Sequence, residues 1–237
     1  MMSAPIVLAL DAPDLDTMQA WAFAAAPHVA VMKVGLEVFC RDGRAAVEIV
    51  RGLPTERELF LDLKLHDIPA TVGKATAVLG DICPEYLTVH ASGGPAMVAA
   101  AAKAAPRTRI TAVTVLTSLS AEDLRALGVH GSPSSVAVEW ARLAVDAGAR
   151  AIVCSPHEVA EIRAAVGPDV HLITPGVRPA GAAQDDQVRV ATPREAISWG
   201  ADLVVIGRPI TGAADPAAAA ASVAEGISDS VRMSERG

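Results

Sequence analysis

Residues 134–155 read SSVAVEWARLAVDAGARAIVCS, a helix pattern followed directly by a strand pattern. Its first part, Ser134–Ala147, has the apolar spacing of an amphipathic helix. Gly148 follows where a helix end calls for a left-handed residue. The run Ala149–Ser155 is then apolar on successive positions, as a strand buried on both faces requires. The same order recurs at residues 193–207, PREAISWGADLVVIG, with Thr192-Pro193 as N-cap and first helical residue, Gly200 as terminator and Asp202–Gly207 as strand.

Six more runs match these two strands: Ile6–Asp11, Val29–Gly35, Glu58–Lys64, Tyr86–Ala91, Arg109–Leu116 and His171–Pro175. Helical spacing falls between them at Leu15–Ala25, which Pro13-Asp14 opens, and at Arg44–Arg51, Thr71–Gly80, Ala96–Ala104, Glu158–Val166 and Ala217–Ile227. Eight β/α units of about 30 residues use up the 237 residues. No Pro/Gly/Ser linker or charge run divides them, and no G-x-G occurs to support a dinucleotide-binding open sheet. The pattern predicts an α/β protein, a (β/α)8 TIM barrel with residues 1–237 as one domain and a frayed tail at 228–237.

Composition narrows the function. Twenty Lys+Arg against 27 Asp+Glu give a formal charge of −7, and aromatics are only 3%. That balance argues against a nucleic-acid polymer as partner, which calls for a basic surface and stacking rings. Cys40, Cys83 and Cys154 are odd in number and far apart, which suits a reducing compartment and gives no disulfide framework. The apolar run Ile6–Leu10 is too short for a signal-peptide core, and no apolar stretch is long enough to span a membrane. The expectation is a cytoplasmic protein that binds no membrane.

In a barrel of this kind, polar residues at the C-terminal ends of strands form the site. Asp11, Lys33, Asp62, Lys64 and His90 fall there, as do Thr117-Ser118, Ser155, Arg178 and Gly207-Arg208. Asp62 and Lys64 are two apart, so an extended strand puts them on one face, with Lys33 and Asp11 on the adjoining strands. One such pair is as readily an ion pair that satisfies a barrel mouth. Four alternating charges on one rim favour chemistry, because clustered desolvated charges cost stability without some offsetting role. Arg178, the Gly207 amide and Arg208 lie where this fold commonly holds a phosphate. Separately, Gly207 could be a turn glycine and Arg208 a solvated charge. The polar loop Val177–Ala191 reads as a lid with Gln187 as its ligand contact. His66 fits either a site or a surface role, and His28, His130, His157 and His171 read as surface or strand-edge residues.

These residues resemble a known family. Leu61-Asp-Leu-Lys-Leu-His-Asp-Ile-Pro69, with Thr71-Val72 after it, is similar to the active-site signature of the orotidine 5′-phosphate decarboxylases. The likeness extends to Leu10-Asp11, Lys33-Val-Gly35, Val89-His-Ala-Ser-Gly-Gly94, Leu116-Thr-Ser118, Thr174-Pro-Gly-Val-Arg-Pro179, Asp186-Gln-Val-Arg189 with Thr192-Pro193, and Val205-Ile-Gly-Arg208. The strand-three motif is shared with related barrels; the strand-seven, loop and strand-eight segments make the match specific. One departure is Ala70, where the family commonly has Asn, which puts the local helix start in question.

The resemblance implies decarboxylation of orotidine 5′-monophosphate to UMP, the last step of pyrimidine nucleotide synthesis, with neither cofactor nor metal. It implies that Lys64 delivers the proton to C6, within a charge network of Lys33, Asp62, Lys64 and Asp67. It further implies a homodimer in which Asp67 and Thr71 act across the interface. Asp11 and Lys33 match ribose contacts, and Thr117 and Ser118 lie near the pyrimidine. Arg178, Gln187, Gly207 and Arg208 match phosphate contacts. Metal-dependent relatives acting on sugar phosphates look similar at strand three, but a Glu ligand stands there in place of Lys33, and a protonated lysine does not ligate Mg²⁺. A barrel that only binds a nucleotide is the other alternative, and the retained charges speak against it.

Overall fold

The computed structural model describes residues 3–178 and 191–234, with side chains as far as Ser228. The apolar runs become eight strands: β1 Ala4–Ala9, β2 Val29–Gly35, β3 Glu58–Leu65, β4 Tyr86–His90, β5 Arg109–Val113, β6 Ala151–Val153, β7 His171–Thr174 and β8 Leu203–Ile206. They hydrogen-bond in chain order and close into a barrel. The helices are α1 Leu15–Ala25, α2 Leu36–Asp42, α3 Arg44–Arg51, α4 Pro69–Gly80, α5 Pro95–Ala104, α6 Ala121–Ala126, α7 Pro133–Asp146, α8 Val159–Val166, α9 Pro193–Ser198, α10 Arg208–Thr211 and α11 Pro216–Ser234.

Caps fix where helices begin. The Thr17 amide donates to Asp14 Oδ1 at 2.7 Å, which starts α1 at the expected place. At α9 the Glu195 amide donates to Thr192 Oγ1 (3.2 Å) while the Thr192 amide donates to Glu195 Oε2 (2.7 Å), a reciprocal box. Gly148 and Gly200 take the left-handed conformations expected of them, with φ of 103° and 108°.

Contacts divide the chain into two units. Among the described residues the first comprises 3–62, 176–178, 191–198 and 202–234. In it β1 pairs in parallel with β2 (Ala9 opposite Lys33) and with β8 (Leu8 opposite Ile206). β2 pairs with β3 so that Gly35 stands opposite Asp62. Ile6, Leu8, Leu10, Met32, Leu59 and Leu61 are fully buried here. The second unit comprises residues 63–175 and 199–201. In it β4 pairs with β5, β5 with β6 and β6 with β7, all parallel. Its core includes Tyr86, Leu87, Met97 and Ile110.

Several boundaries differ from the sequence expectation. β1 ends at Ala9, so Asp11 follows the strand; the Leu10 amide still donates to the Lys33 carbonyl at 3.0 Å. β5 ends at Val113, which leaves Thr117 and Ser118 in a turn. Three short helices, α2, α6 and α10, carry no long periodic stretch. α11 is helical through Ser234, beyond Ile227 and into the tail expected to fray.

Candidate active site

Lys33 on β2 has a side chain only 9% exposed, and burial of an ammonium is tolerable only beside opposite charge. Two carboxylates provide it. Asp62 Oδ2 lies 3.3 Å from Lys33 Nζ and Asp11 Oδ1 lies 3.5 Å away. Asp62 is dry, with a side chain 15% exposed, and Asp11 is wet at 51%. The Lys33–Asp62 contact is therefore the less screened of the two, and removing one partner of such a pair costs about 3–5 kcal/mol. Gly35 makes room for this triad: a Cβ there would overlap Asp11 Oδ1 and approach Lys33 Nζ to 3.1 Å.

β3 carries Lys64 two residues after Asp62, in the second unit. Lys64 has a φ of +50°, a left-handed backbone rarely adopted by residues other than glycine, and worth about 1–2 kcal/mol of strain. The simple face alternation expected of an extended strand therefore stops short of Lys64. Its amide donates to Thr88 Oγ1 of β4 at 2.8 Å, and Thr88 is fully buried. Just beyond, the His66 and His90 rings lie 5.3 Å apart between centroids.

Residues His66–Thr71 are all exposed, Ile68 among them at 65%. Asp67 Oδ1 accepts from the Ile68 amide at 2.6 Å, which holds its carboxylate at the entrance to α4. Pro69 begins that helix at the position where its missing N–H costs nothing. Ala70 is the second residue of α4, so the departure from the family pattern leaves a regular helix start.

The expected phosphate side lies in the first unit. Val177 bridges Ala191, and the Arg178 amide donates to the Ala191 carbonyl at 3.0 Å. This joins the two ends of the 177–191 loop; Gln187 lies outside the described residues. Gly207 precedes α10, its carbonyl accepting from the Ile210 (2.8 Å) and Thr211 (3.0 Å) amides. Arg208 is exposed and Arg178 half-buried. Thr117 and Ser118 are exposed in the second unit. Direct contact thus unites Asp11, Lys33 and Asp62; Lys64 sits on β3 itself, and Asp67, Thr71, Thr117, Ser118, Arg178, Gly207 and Arg208 sit on segments that follow β3, β5, β7 and β8.

Sequence reading gave no role to three residues. Gly35 and Thr88 shape the surroundings of the two lysines, and a glycine two residues after Lys33 was the one available signal. The third is Glu158, buried after β6, whose Oε2 accepts from the Ser155 amide at 3.0 Å. Burial pushes its carboxyl up to about 7, with Glu161 adding to the rise. Burial also pushes the Cys154 thiol well up, so that cysteine is inert. Among the described residues, no group of three or more His, Cys, Asp or Glu is placed to hold a metal ion.

A closed parallel barrel with Lys33 set between Asp11 and Asp62 at its strand ends places the chain in the TIM-barrel class. Residues 4–223 match the model of the Orotidine 5′-phosphate decarboxylase / HUMPS family. The chain therefore belongs to that family. An orotidine 5′-phosphate decarboxylase of Thermobifida fusca (strain YX) is 62% identical over 223 residues, covering 94% of this chain and 95% of the relative. One from Frankia casuarinae is 50% identical over 248 residues, covering 98% and 90%. The crystal structure of orotidine 5′-phosphate decarboxylase from Lactobacillus acidophilus is 31% identical and superposes with a TM-score of 0.81, covering 95% of this chain and 99% of that one.

Proposed function

We propose that the chain decarboxylates orotidine 5′-monophosphate to UMP without cofactor or metal, in the cytoplasm, as a step of pyrimidine nucleotide synthesis. The observation that carries this reading is Lys33 Nζ held at 3.3 Å from Asp62, two residues before Lys64 on β3. The bond from C6 to the carboxylate breaks, CO2 leaves, and the electron pair stays on C6. No electron sink is supplied, so the charge must be met electrostatically. The Lys64 ammonium stabilises it and then gives C6 its proton, and water restores the proton to Lys64. Asp62 and Asp67, with Lys33, complete the charge network around it.

Asp11 and Lys33 take the ribose, and Thr117 and Ser118 the pyrimidine. Arg178, Gln187, Gly207 and Arg208 hold a phosphate that undergoes no reaction; its binding energy helps to hold the reacting ring in place. The enzyme acts as a homodimer, with Asp67 and Thr71 completing the partner's site. Their exposure is what such a contribution needs.

The sugar-phosphate relatives need a divalent cation at this end of the barrel. Here the Lys33 ammonium already neutralises the carboxylates that would attract one. Loss of orotate-ring absorbance on adding enzyme, undiminished by EDTA, is the expected result. No turnover at micromolar enzyme, or turnover that EDTA abolishes and Mg²⁺ restores, contradicts the reading.

A further inference from the structure

Lys64 is the one residue of β3 whose backbone is left-handed, at φ +50°. A lysine gains nothing from that conformation by itself, so something must hold it there. The amide of Lys64 donates to a side chain, Thr88 Oγ1, at 2.8 Å. Thr88 is fully buried, and its neighbour in register on β5 is Thr111. Two other threonines of the same unit use their hydroxyls as donors to nearby backbone. Thr111 Oγ1 donates to the Arg109 carbonyl (2.9 Å) and Thr114 Oγ1 to the Val153 carbonyl (3.1 Å). Thr88 differs in accepting, and in accepting from the backbone of the residue that must present its amine to the substrate.

A second contact bears on the same segment. Thr88 and His90 are two apart on β4 and so share a face, while His66 directly follows β3, two residues after Lys64. The His90 ring packs on His66 at 5.3 Å. A Cβ at Gly93 would come within 3.1 Å of His66 Cδ2, so the turn after β4 closes on the same ring. The segment 64–66 is thus gripped at both ends from β4. Without the Thr88 hydroxyl, the part-buried Lys64 amide would lose this acceptor, and the strained φ one of its restraints.

We infer that Thr88 is a positioning residue for Lys64: its hydroxyl locks the left-handed backbone that aims the amine. This rests on the proton-donor role given to Lys64 above. Positioning errors of about 1 Å cost on the order of 100-fold in rate, which sets the scale of the effect. Thr88→Val keeps shape and removes the acceptor. The expected result is a fall in kcat of about that size, with KM for orotidine 5′-monophosphate and affinity for UMP little changed. Thr88→Ser, which keeps the hydroxyl, restores kcat. Amide hydrogen exchange at Lys64 reads the same bond without turnover: slow in the wild type and in Thr88→Ser, fast in Thr88→Val.

Should Thr88→Val fail to fold, Thr88→Ser against Thr88→Ala isolates the hydroxyl, with UMP binding reporting an intact fold. A near-normal kcat without the hydroxyl, or unchanged exchange at Lys64, overturns the inference. A wild type with no turnover overturns instead the proposed function, and the exchange experiment still decides whether Thr88 holds Lys64.

Discussion

The Oδ1 of Asp11 occupies the place that a Cβ on Gly35 would take. Gly35 has φ −83° and ψ 174°, a conformation open to any residue, so space and not backbone freedom is what reserves this position for glycine. The two carboxylates flank Lys33 because β2 carries nothing at Gly35 to push Asp11 away.

Gly35→Ala should therefore disturb the site more than the fold. Overpacking of this kind costs about 1–3 kcal/mol of stability. Displacing Asp11 from Lys33 should lower kcat/KM by at least about tenfold, mainly through weaker ribose binding. Thermal unfolding and steady-state kinetics on the same preparation separate the two effects. A variant with normal kcat/KM would mean that Asp11 does not contact the ribose.

Glu158 predicts a pH dependence of stability. Its carboxyl is raised from 4.5 to about 7 in the folded protein, chiefly by burial. A raised folded value means that the folded state binds the proton more tightly. The contribution is thus fully present below the unfolded value and lost as pH rises through the folded one. Glu158→Gln, whose amide oxygen can still accept from the Ser155 amide, should remove that slope. The variant should gain on the wild type by on the order of 2 kcal/mol between pH 5 and pH 8, discounted for residual solvation. Denaturant unfolding at the two pH values checks it; an equal difference at both would show that Glu158 ionises normally.

Shared sites predict complementation. Lys64→Ala and Asp67→Ala homodimers should each be inactive, and mixing them with subunit exchange should restore part of the activity. In a mixed dimer one site combines an intact Lys64 with an intact Asp67 from the other chain. Failure to complement after mass spectrometry has verified exchange would place Asp67 in its own chain's site.

The barrel was readable because its strands are buried on both faces. Runs such as Ala151–Val153 and Leu203–Ile206 admit few other readings, and Asp14, Thr192, Gly148 and Gly200 mark helix ends by local chemistry. What escaped was short. α2 and α10 lack the length for periodicity, whereas α6 had a visible signal in Ser120 and Asp123, which cap each other. Within the site, charge spacing pointed to Asp11, Lys33 and Asp62, which do meet. The left-handed Lys64 was not readable, since nothing in a run of Leu-Lys-Leu announces a positive φ. Nor was Thr88, a residue ordinary in any strand, whose importance comes from what lies beside it.

In the proposed mechanism Lys64 supplies the proton to C6 while the remaining charges bind and orient the nucleotide. Lys64→Ala tests it most directly, by turnover of orotidine 5′-monophosphate alongside calorimetric binding of UMP. Turnover lost with UMP affinity largely kept is the predicted result; near-normal turnover would contradict it.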